Sequence, residues 1–343
     1  MKMKMCTCCV LPDTFPGIRF DSDGVCNYCE DHRQEKEDEE LRNRYRQKFE
    51  GLLEKLRSGA KRPYDAIMAY SGGKDSSYSM KMLKEQFGLK ILSVTFDHGF
   101  VSEQVRQNIR RVTAALNIDQ MTISPGRESL CDAFRRSESA GVYPMKYLER
   151  ASAICNTCMG IVKSYLLKTA IETGVPLICY GWSPGQAPVQ ASVMKVNLSM
   201  IKKMQETTCG YLEKVAGKGL DAFMPSQRHF KMLEAGNGGF LYNVHPLAFM
   251  GYDEEAITGE ISRLGWRRPA ETDDNSSNCL LNSYAIHVHM RDHGFHPYAF
   301  EIAALVRKGY LSREEGIRKL AGKPSEEVVN NVRSALGGVS PWK

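Results

Sequence analysis

Two hydrophobic periods alternate along the chain. Residues 33–60 carry Leu41, Tyr45, Phe49, Leu52, Leu53 and Leu56 at three- and four-residue spacing among interspersed charges, which predicts an amphipathic, connective helix. Short apolar runs follow at 64–70, 90–96, 120–123 and 176–181, and helically patterned segments such as Tyr78–Phe87 and Ile161–Ile171 lie between them. That alternation predicts an α/β fold with a doubly wound parallel sheet, whose ligand site lies at the carboxyl ends of its strands. A last strand is expected from Phe240, then a helix opened by Asp253-Glu-Glu, whose early acids suit a helix N-terminus. Residues 297–336 read as short helices for packing or homodimerisation, with Ser312 and Glu315 spaced as a capping box. Residues 186–236 read as a methionine- and lysine-rich insertion for substrate binding, with Met194, Met200 and Met204 packing a helix. The divisions are residues 1–32, a helical linker 33–62, an α/β domain 63–250 and a helical region 251–343.

Composition narrows the class. The 343 residues are 42% hydrophobic and 25% charged, as expected of a soluble chain of two or more domains. No run approaches the ~20 apolar residues that span a bilayer. The start, MKMKMCTCC, lacks the apolar core of a signal peptide, so a cytoplasmic location without membrane association is expected. The net charge of +6 permits an anionic substrate without requiring a nucleic acid. Eleven cysteines in a reducing compartment point to metal or cluster ligation rather than disulfides.

Those cysteines are grouped. Cys6-x-x-Cys9 and Cys26-x-x-Cys29, sixteen residues apart, have the spacing of a zinc ribbon, with Asp21–Gly24 at a hairpin tip and Cys8 competing with Cys9 as ligand. Four thiolates leave no open position, so the site is read as structural, its metal supplying much of the folding free energy of a small module. Cys155 and Cys158 form a second pair near the start of an apolar helix, and Cys279 lies in the polar stretch Asn275-Ser-Ser-Asn278. The pair alone fits a zinc half-site, a redox couple, metal-free persulfide chemistry or an iron–sulfur cluster. Cys179 reads as core, whereas Cys131 and Cys209 carry no motif. His287, His289, His293 and His296 cannot all converge from one element. They read as a substrate-facing helix with at most one functional histidine. His245 stands at a strand end where it closes the pocket or makes an ordinary hydrogen bond, and Arg267 and Arg268 read as solvated surface.

Ser71-Gly-Gly-Lys-Asp-Ser76 joins a predicted strand to a predicted helix, where glycines and free amide groups favour a phosphate. It lacks the spacing of a Walker A loop. The loop resembles the S-G-G-x-D-S signature of the PP-loop ATP pyrophosphatase superfamily. The resemblance implies that Ser71, Gly72, Gly73, Lys74, Asp75 and Ser76 hold the phosphates and Mg2+ of ATP. It further implies that Asp97 lies near the adenosine, that Gly181 and Trp182 contribute at the same edge, and that the enzyme transfers AMP to a carbonyl-type oxygen.

Two subgroups supply different nucleophiles. Cys155, Cys158 and Cys279 resemble the ligand set of cluster-dependent tRNA thiolation enzymes, which implies a 4Fe-4S cluster with one iron open to sulfide from a sulfur donor. The N-terminal run with its two cysteine pairs, the charged helix and SGGKDSSY resemble the N-acetyl sugar amidotransferases of surface-polysaccharide biosynthesis, which take ammonia from a glutaminase subunit. Amidation leaves CNTCMG and NSSNC without a role, so sulfur transfer is the first expectation and amidation the alternative. The chain has no cysteine after Cys279 and no basic, aromatic-rich C-terminal module. That weighs against tRNA and towards a small-molecule or nucleobase acceptor.

Overall fold

The computed structural model describes residues 4–34, 39–59, 62–138, 141–216, 219–236 and 240–337. The N-terminal module is built from tight turns and isolated bridges, Met5 with Pro12 and Phe20 with Cys26, the second closing a hairpin around Asp21–Gly24 as predicted. A helix already begins inside that module, α1 (Asn27–Gln34), followed by α2 (Glu39–Arg57). Helix is described over Asn27–Gln34 and Glu39–Arg57, starting earlier than the 33–60 expected, and residues 35–38 and 60 of that expectation lie outside the described residues. Phe49, Leu52 and Leu53 bury the apolar stripe of α2.

The central unit runs β1 (Ala66–Ala69), α3 (Lys74–Glu85), β2 (Ile91–Phe96), α4 (Glu103–Ala115), β3 (Asp119–Ile123), α5 (Arg127–Ser137), α6 (Met145–Leu148), α7 (Ala153–Thr173), β4 (Leu177–Tyr180), β5 (Val193–Asn197), α8 (Leu198–Ala216), α9 (Gln227–Gly236) and β6 (Phe240–Val244). The strands form one sheet in the order β3-β2-β1-β4-β6-β5. All pairings are parallel except β5 with β6. From β1 the chain winds outward through β2 and β3, then crosses to the other side with β4. The switch point thus falls between β1 and β4, where a doubly wound sheet opens a crevice at its carboxyl edge.

The antiparallel edge strand β5 corrects the reading of 186–236 as a bare insertion. Val193 and Val196 are both buried, but three residues apart they lie on opposite faces of the strand, so no two-residue apolar period shows. The methionines of α8 are a second correction. Ile201, Gln205, Leu212 and Val215 make its buried face, while Met200 and Met204 are 41% and 47% exposed.

The chain continues through α10 (Leu247–Met250), α11 (Glu254–Ser262), α12 (Leu281–His293), α13 (Ala299–Arg307), α14 (Arg313–Ala321) and α15 (Glu326–Ala335). Asp253 caps α11 through two backbone amides, and Ser312 and Glu315 form the expected capping box on α14. The N-terminal module shares a core with this last region. Phe15 meets Phe295 and Phe300 at ring separations of 5.1 and 6.1 Å, and Val10 and Leu11 are buried with Ile302, Ala303 and Leu305. No helix among the described residues is long and apolar enough to cross a membrane.

Candidate active site

β1 ends at the switch point, and its next residues form the loop Ser71–Ser76. Gly72 sits at φ +74°, and a Cβ there would meet Val105 and Ile109 of α4 at 2.8 Å. The loop is therefore glycine-rich for packing as well as for ligand access. Its carbonyls and hydroxyls are held from within: Ser76 and Ser77 donate to the Gly73 carbonyl at 3.1 and 2.8 Å, and Trp266 donates its indole N–H to the Gly72 carbonyl at 3.0 Å. Gly181, after β4, lies so close to α3 that a Cβ would stand 2.4 Å from the Cα of Ser76.

The loop cation is engaged by acids and a phenol. Lys74 donates to Tyr252 at 2.6 Å and pairs with Asp75 at 3.1 Å and Glu254 at 3.6 Å, while Lys319 also reaches Glu254 at 3.2 Å. Burial opposes the charge on Glu254, yet the two lysines hold its carboxyl below the usual range. Glu301 of α13 faces the same cavity and accepts a 2.6 Å bond from Ser183. Burial raises its carboxyl to about 7.

A cavity of about 350 Å³ opens beside the loop. Lys74, Asp75, Gly181 and Trp182 line it, together with Cys155, Cys158 and Cys279. Cys155 and Cys158 lie in the first turns of α7, which Ser152 caps by accepting from the Cys155 amide at 3.1 Å. Cys279 comes from the turn before α12, and the same turn is tied to the Ser71–Ser76 loop, because Ser277 accepts from the Lys74 amide at 3.0 Å. One short segment thus links the third thiol to the Ser71–Ser76 loop. Burial raises the thiols of Cys155 and Cys158, and that of Cys279 to about 12. Such thiols are poor free nucleophiles and become ligands once a cation is present.

The two cysteine groups differ in scale. In the N-terminal site the Cys6–Cys29, Cys9–Cys26 and Cys26–Cys29 sulfurs are 3.8, 3.7 and 3.6 Å apart. Sulfurs at ~2.3 Å from one tetrahedral ion stand about 3.8 Å from each other, so the site fits a single metal ion. Cys9 is buried in it, whereas Cys8 is exposed. Arg313 donates to the Cys6 and Cys9 carbonyls, and Arg307 approaches the Cys9 sulfur at 3.6 Å. Among the described residues this is the one group of three or more possible ligands lying within 4.8 Å of one another. Cys155, Cys158 and Cys279 line one cavity but do not form such a close group.

Other expected residues are placed differently. Asp97 sits at the predicted edge, but its carboxylate turns to Arg106 at 3.2 Å and to the Gly99 amide, and it does not line the cavity. His98 lines it instead, 3.5 Å from the Cys279 sulfur, with its ring held neutral by burial, at about 4. His245 stacks on Trp182 at 4.5 Å, behind the cavity wall. α12 meets the cavity through Leu281 and Asn282, whereas none of its histidines lines it. His289 and His293 instead border a separate hollow of about 120 Å³. Cys179 is core and Arg267 and Arg268 are exposed, as expected. Sequence reading missed His98, Arg150, Lys163, Glu301 and Trp266, none of which belongs to a motif; only the fold brings them to the loop.

No family model matches the chain. A protein of Methanocaldococcus jannaschii with no characterized function is 24% identical over 272 residues, 79% of this chain and 77% of that protein. Argininosuccinate synthase of the same organism is 26% identical over 117 residues, 34% of this chain and 28% of the synthase. Among solved structures, the U34-tRNA thiolase NcsA from Methanococcus maripaludis, with its 4Fe-4S cluster, aligns over 90% of this chain and 88% of its own at 17% identity and a TM-score of 0.35. The S-G-G-K-D-S loop lies between β1 and α3 at the switch point of a doubly wound sheet, the placement expected from its likeness to the PP-loop ATP pyrophosphatases.

Proposed function

We propose that this protein is an ATP-dependent sulfurtransferase acting on a small-molecule or nucleobase acceptor. One observation carries the reading: three thiols from two separate elements meet the phosphate loop in a single cavity. The loop amides and Lys74 are suited to the pyrophosphate of ATP, and Asp75 to its Mg2+. Lys74 must then exchange Asp75, Glu254 and Tyr252 for phosphate oxygens when nucleotide enters. The acceptor's carbonyl-type oxygen attacks the α-phosphorus and pyrophosphate leaves. A sulfide then adds to the carbon, and AMP departs with that oxygen, leaving carbon–sulfur in place of carbon–oxygen.

Cys155, Cys158 and Cys279 would hold a 4Fe-4S cluster, with Asn282 near Cys155 and His98 near Cys279 as polar neighbours. Such a cluster supplies an iron without a protein ligand, open to exogenous sulfide. The Cys6, Cys9, Cys26 and Cys29 site would hold structural zinc.

Anaerobic purification with iron, labile sulfide and zinc counted per chain tests this directly. The expected result is about four irons, four sulfides and one zinc. Asp75→Ala should abolish pyrophosphate release, and Cys279→Ala should abolish only thiolation. Zinc alone after attempted cluster reconstitution would overturn the sulfur reading and turn the search to amidation of an N-acetylated sugar carboxylate with glutaminase-derived ammonia.

A further inference from the structure

The wall that carries the cysteines also carries two cations without acidic partners. α7 faces the cavity through Cys155, Cys158, Met159, Val162 and Lys163, a stripe at three-, four- and seven-residue spacing. Lys163 lies about 7.5 Å along the helix axis from Cys158 at 1.5 Å per residue. Arg150 lines the cavity ahead of the same helix, five residues before Cys155, and is exposed. Among the described residues neither makes an ion pair. Each instead lies over an aromatic face, Lys163 over Trp182 at 4.6 Å and Arg150 over Phe300 at 4.4 Å.

The remaining charges of the cavity do not answer these two. Asp75 is taken by Lys74, and Glu301 is held by Ser183 while burial disfavours its charge. Burial also lowers the Lys163 ammonium to about 8, which follows from surroundings without a counter-charge. A desolvated cation is costly unless a partner arrives, and a cavity-lining one is reached by ligand. The wall also carries apolar side chains, Phe96, Val101 and Met159, beside neutral polar ones such as Thr95, Gln186 and Asn278, so the same space accepts a compact body bearing an anionic group.

We propose that Lys163, with Arg150 at the rim, forms an anion subsite for a carboxylate or phosphate group of the acceptor, separate from the phosphate loop. This deepens the adenylating reading and rests on it for the identity of the ligand as acceptor. Position favours the acceptor over ATP: the two cations bracket the cysteine stripe on α7, whereas Lys74 and the loop amides occupy the end of β1. An acceptor anchored there presents its reacting carbon between the thiols and the nucleotide.

The test is calorimetric titration of the full chain saturated with Mg2+ and α,β-methylene ATP, so that the phosphate loop is already filled. Inorganic phosphate and acetate are the probes, and chloride at matched ionic strength is the blank. One anion should bind in the millimolar range, and the preferred one distinguishes a phosphate-bearing from a carboxylate-bearing acceptor. Lys163→Met should weaken that binding by about tenfold or more, Arg150→Met less, and Lys163→Arg should restore it. Nucleotide affinity should change less than about twofold in all three.

Failure of both anions to bind wild type above the chloride blank overturns the subsite without needing any variant. So does equal binding by Lys163→Met in a chain whose circular dichroism matches wild type. Loss of nucleotide affinity in step with anion affinity would assign Lys163 to the ATP site and also overturn it. The titration needs neither cluster nor turnover. A protein that fails here but releases pyrophosphate keeps the adenylating reading, and one that binds no nucleotide loses that reading instead.

Discussion

At the residue scale the site is defined by side chains whose charge depends on what covers them. Glu301 is the clearest case, since burial raises its carboxyl from the ordinary 4.5 to about 7. A raised carboxyl contributes its stability below the unfolded value and loses it as pH climbs through the folded one. Ionisation of Glu301 therefore destabilises the nucleotide-free protein progressively between about pH 4.5 and 7. Glu301→Gln keeps an acceptor for Ser183 and removes the titration. It should melt higher than wild type at pH 8 by a margin that shrinks towards pH 4.5, and a margin independent of pH would refute this account. The loop Ser71–Ser76 was legible because its chemistry is local, a glycine turn between strand and helix. Glu301, Lys163 and His98 were not, because an isolated acid, lysine or histidine acquires its role only from distant neighbours. Asp97 shows the converse: its position was readable, but Arg106, nine residues on, claims its carboxylate.

At the element scale, strand and helix periods placed β1 to β4 and β6 within one or two residues. The alternation failed at β5, where Val193 and Val196, three residues apart, pack into the cores on opposite faces of the sheet, so neither face alone reads as an apolar stripe. It failed also at α1, which starts within the cysteine module and supplies Cys29 from its first turn. Gly181 reads in sequence as a ligand contact, yet its spatial constraint is the approach of β4 to α3. Gly181→Ala should thus cost about 1–3 kcal/mol through overpacking against Ser76. Denaturant melts would show it as a lower midpoint at unchanged slope, and the displaced α3 N-terminus should weaken ATP binding as well. A variant as stable as wild type would mean that β4 and α3 separate freely.

At the scale of the whole molecule, the N-terminal cysteine site and the helices α13 and α14 form one unit. Arg313 spans them by donating to the Cys6 and Cys9 carbonyls, and Phe15 is buried against Phe295. Stripping a metal held by Cys6, Cys9, Cys26 and Cys29, as proposed above, should therefore reach beyond the module. Under reducing conditions a strong chelator is expected to lower the melting temperature by several degrees, because metal binding and folding of such a site are coupled. Cys8→Ala should keep a full complement of metal and Cys9→Ala should lose it, as metal analysis of the two purified variants would show. Equal loss in both would contradict the burial of Cys9 and exposure of Cys8.

The sequence by itself determined the local features: a glycine-rich loop between strand and helix, four cysteines spaced to meet around one point and an alternating α/β chain. Each of these depends on residues within about twenty positions of one another, so spacing alone carries the geometry. Tertiary structure decided what those parts form together. Cys279 stands 121 residues from Cys158 in the chain, and Lys74 meets Ser277 across 203. No periodicity reports contacts of that separation. Only the winding of the sheet about β1, with the C-terminal turn folded back over the loop, sets three thiols, a phosphate loop and two unpaired cations around one cavity. Their joint presence comes from long-range packing of apolar faces, which fixes where each short motif ends up.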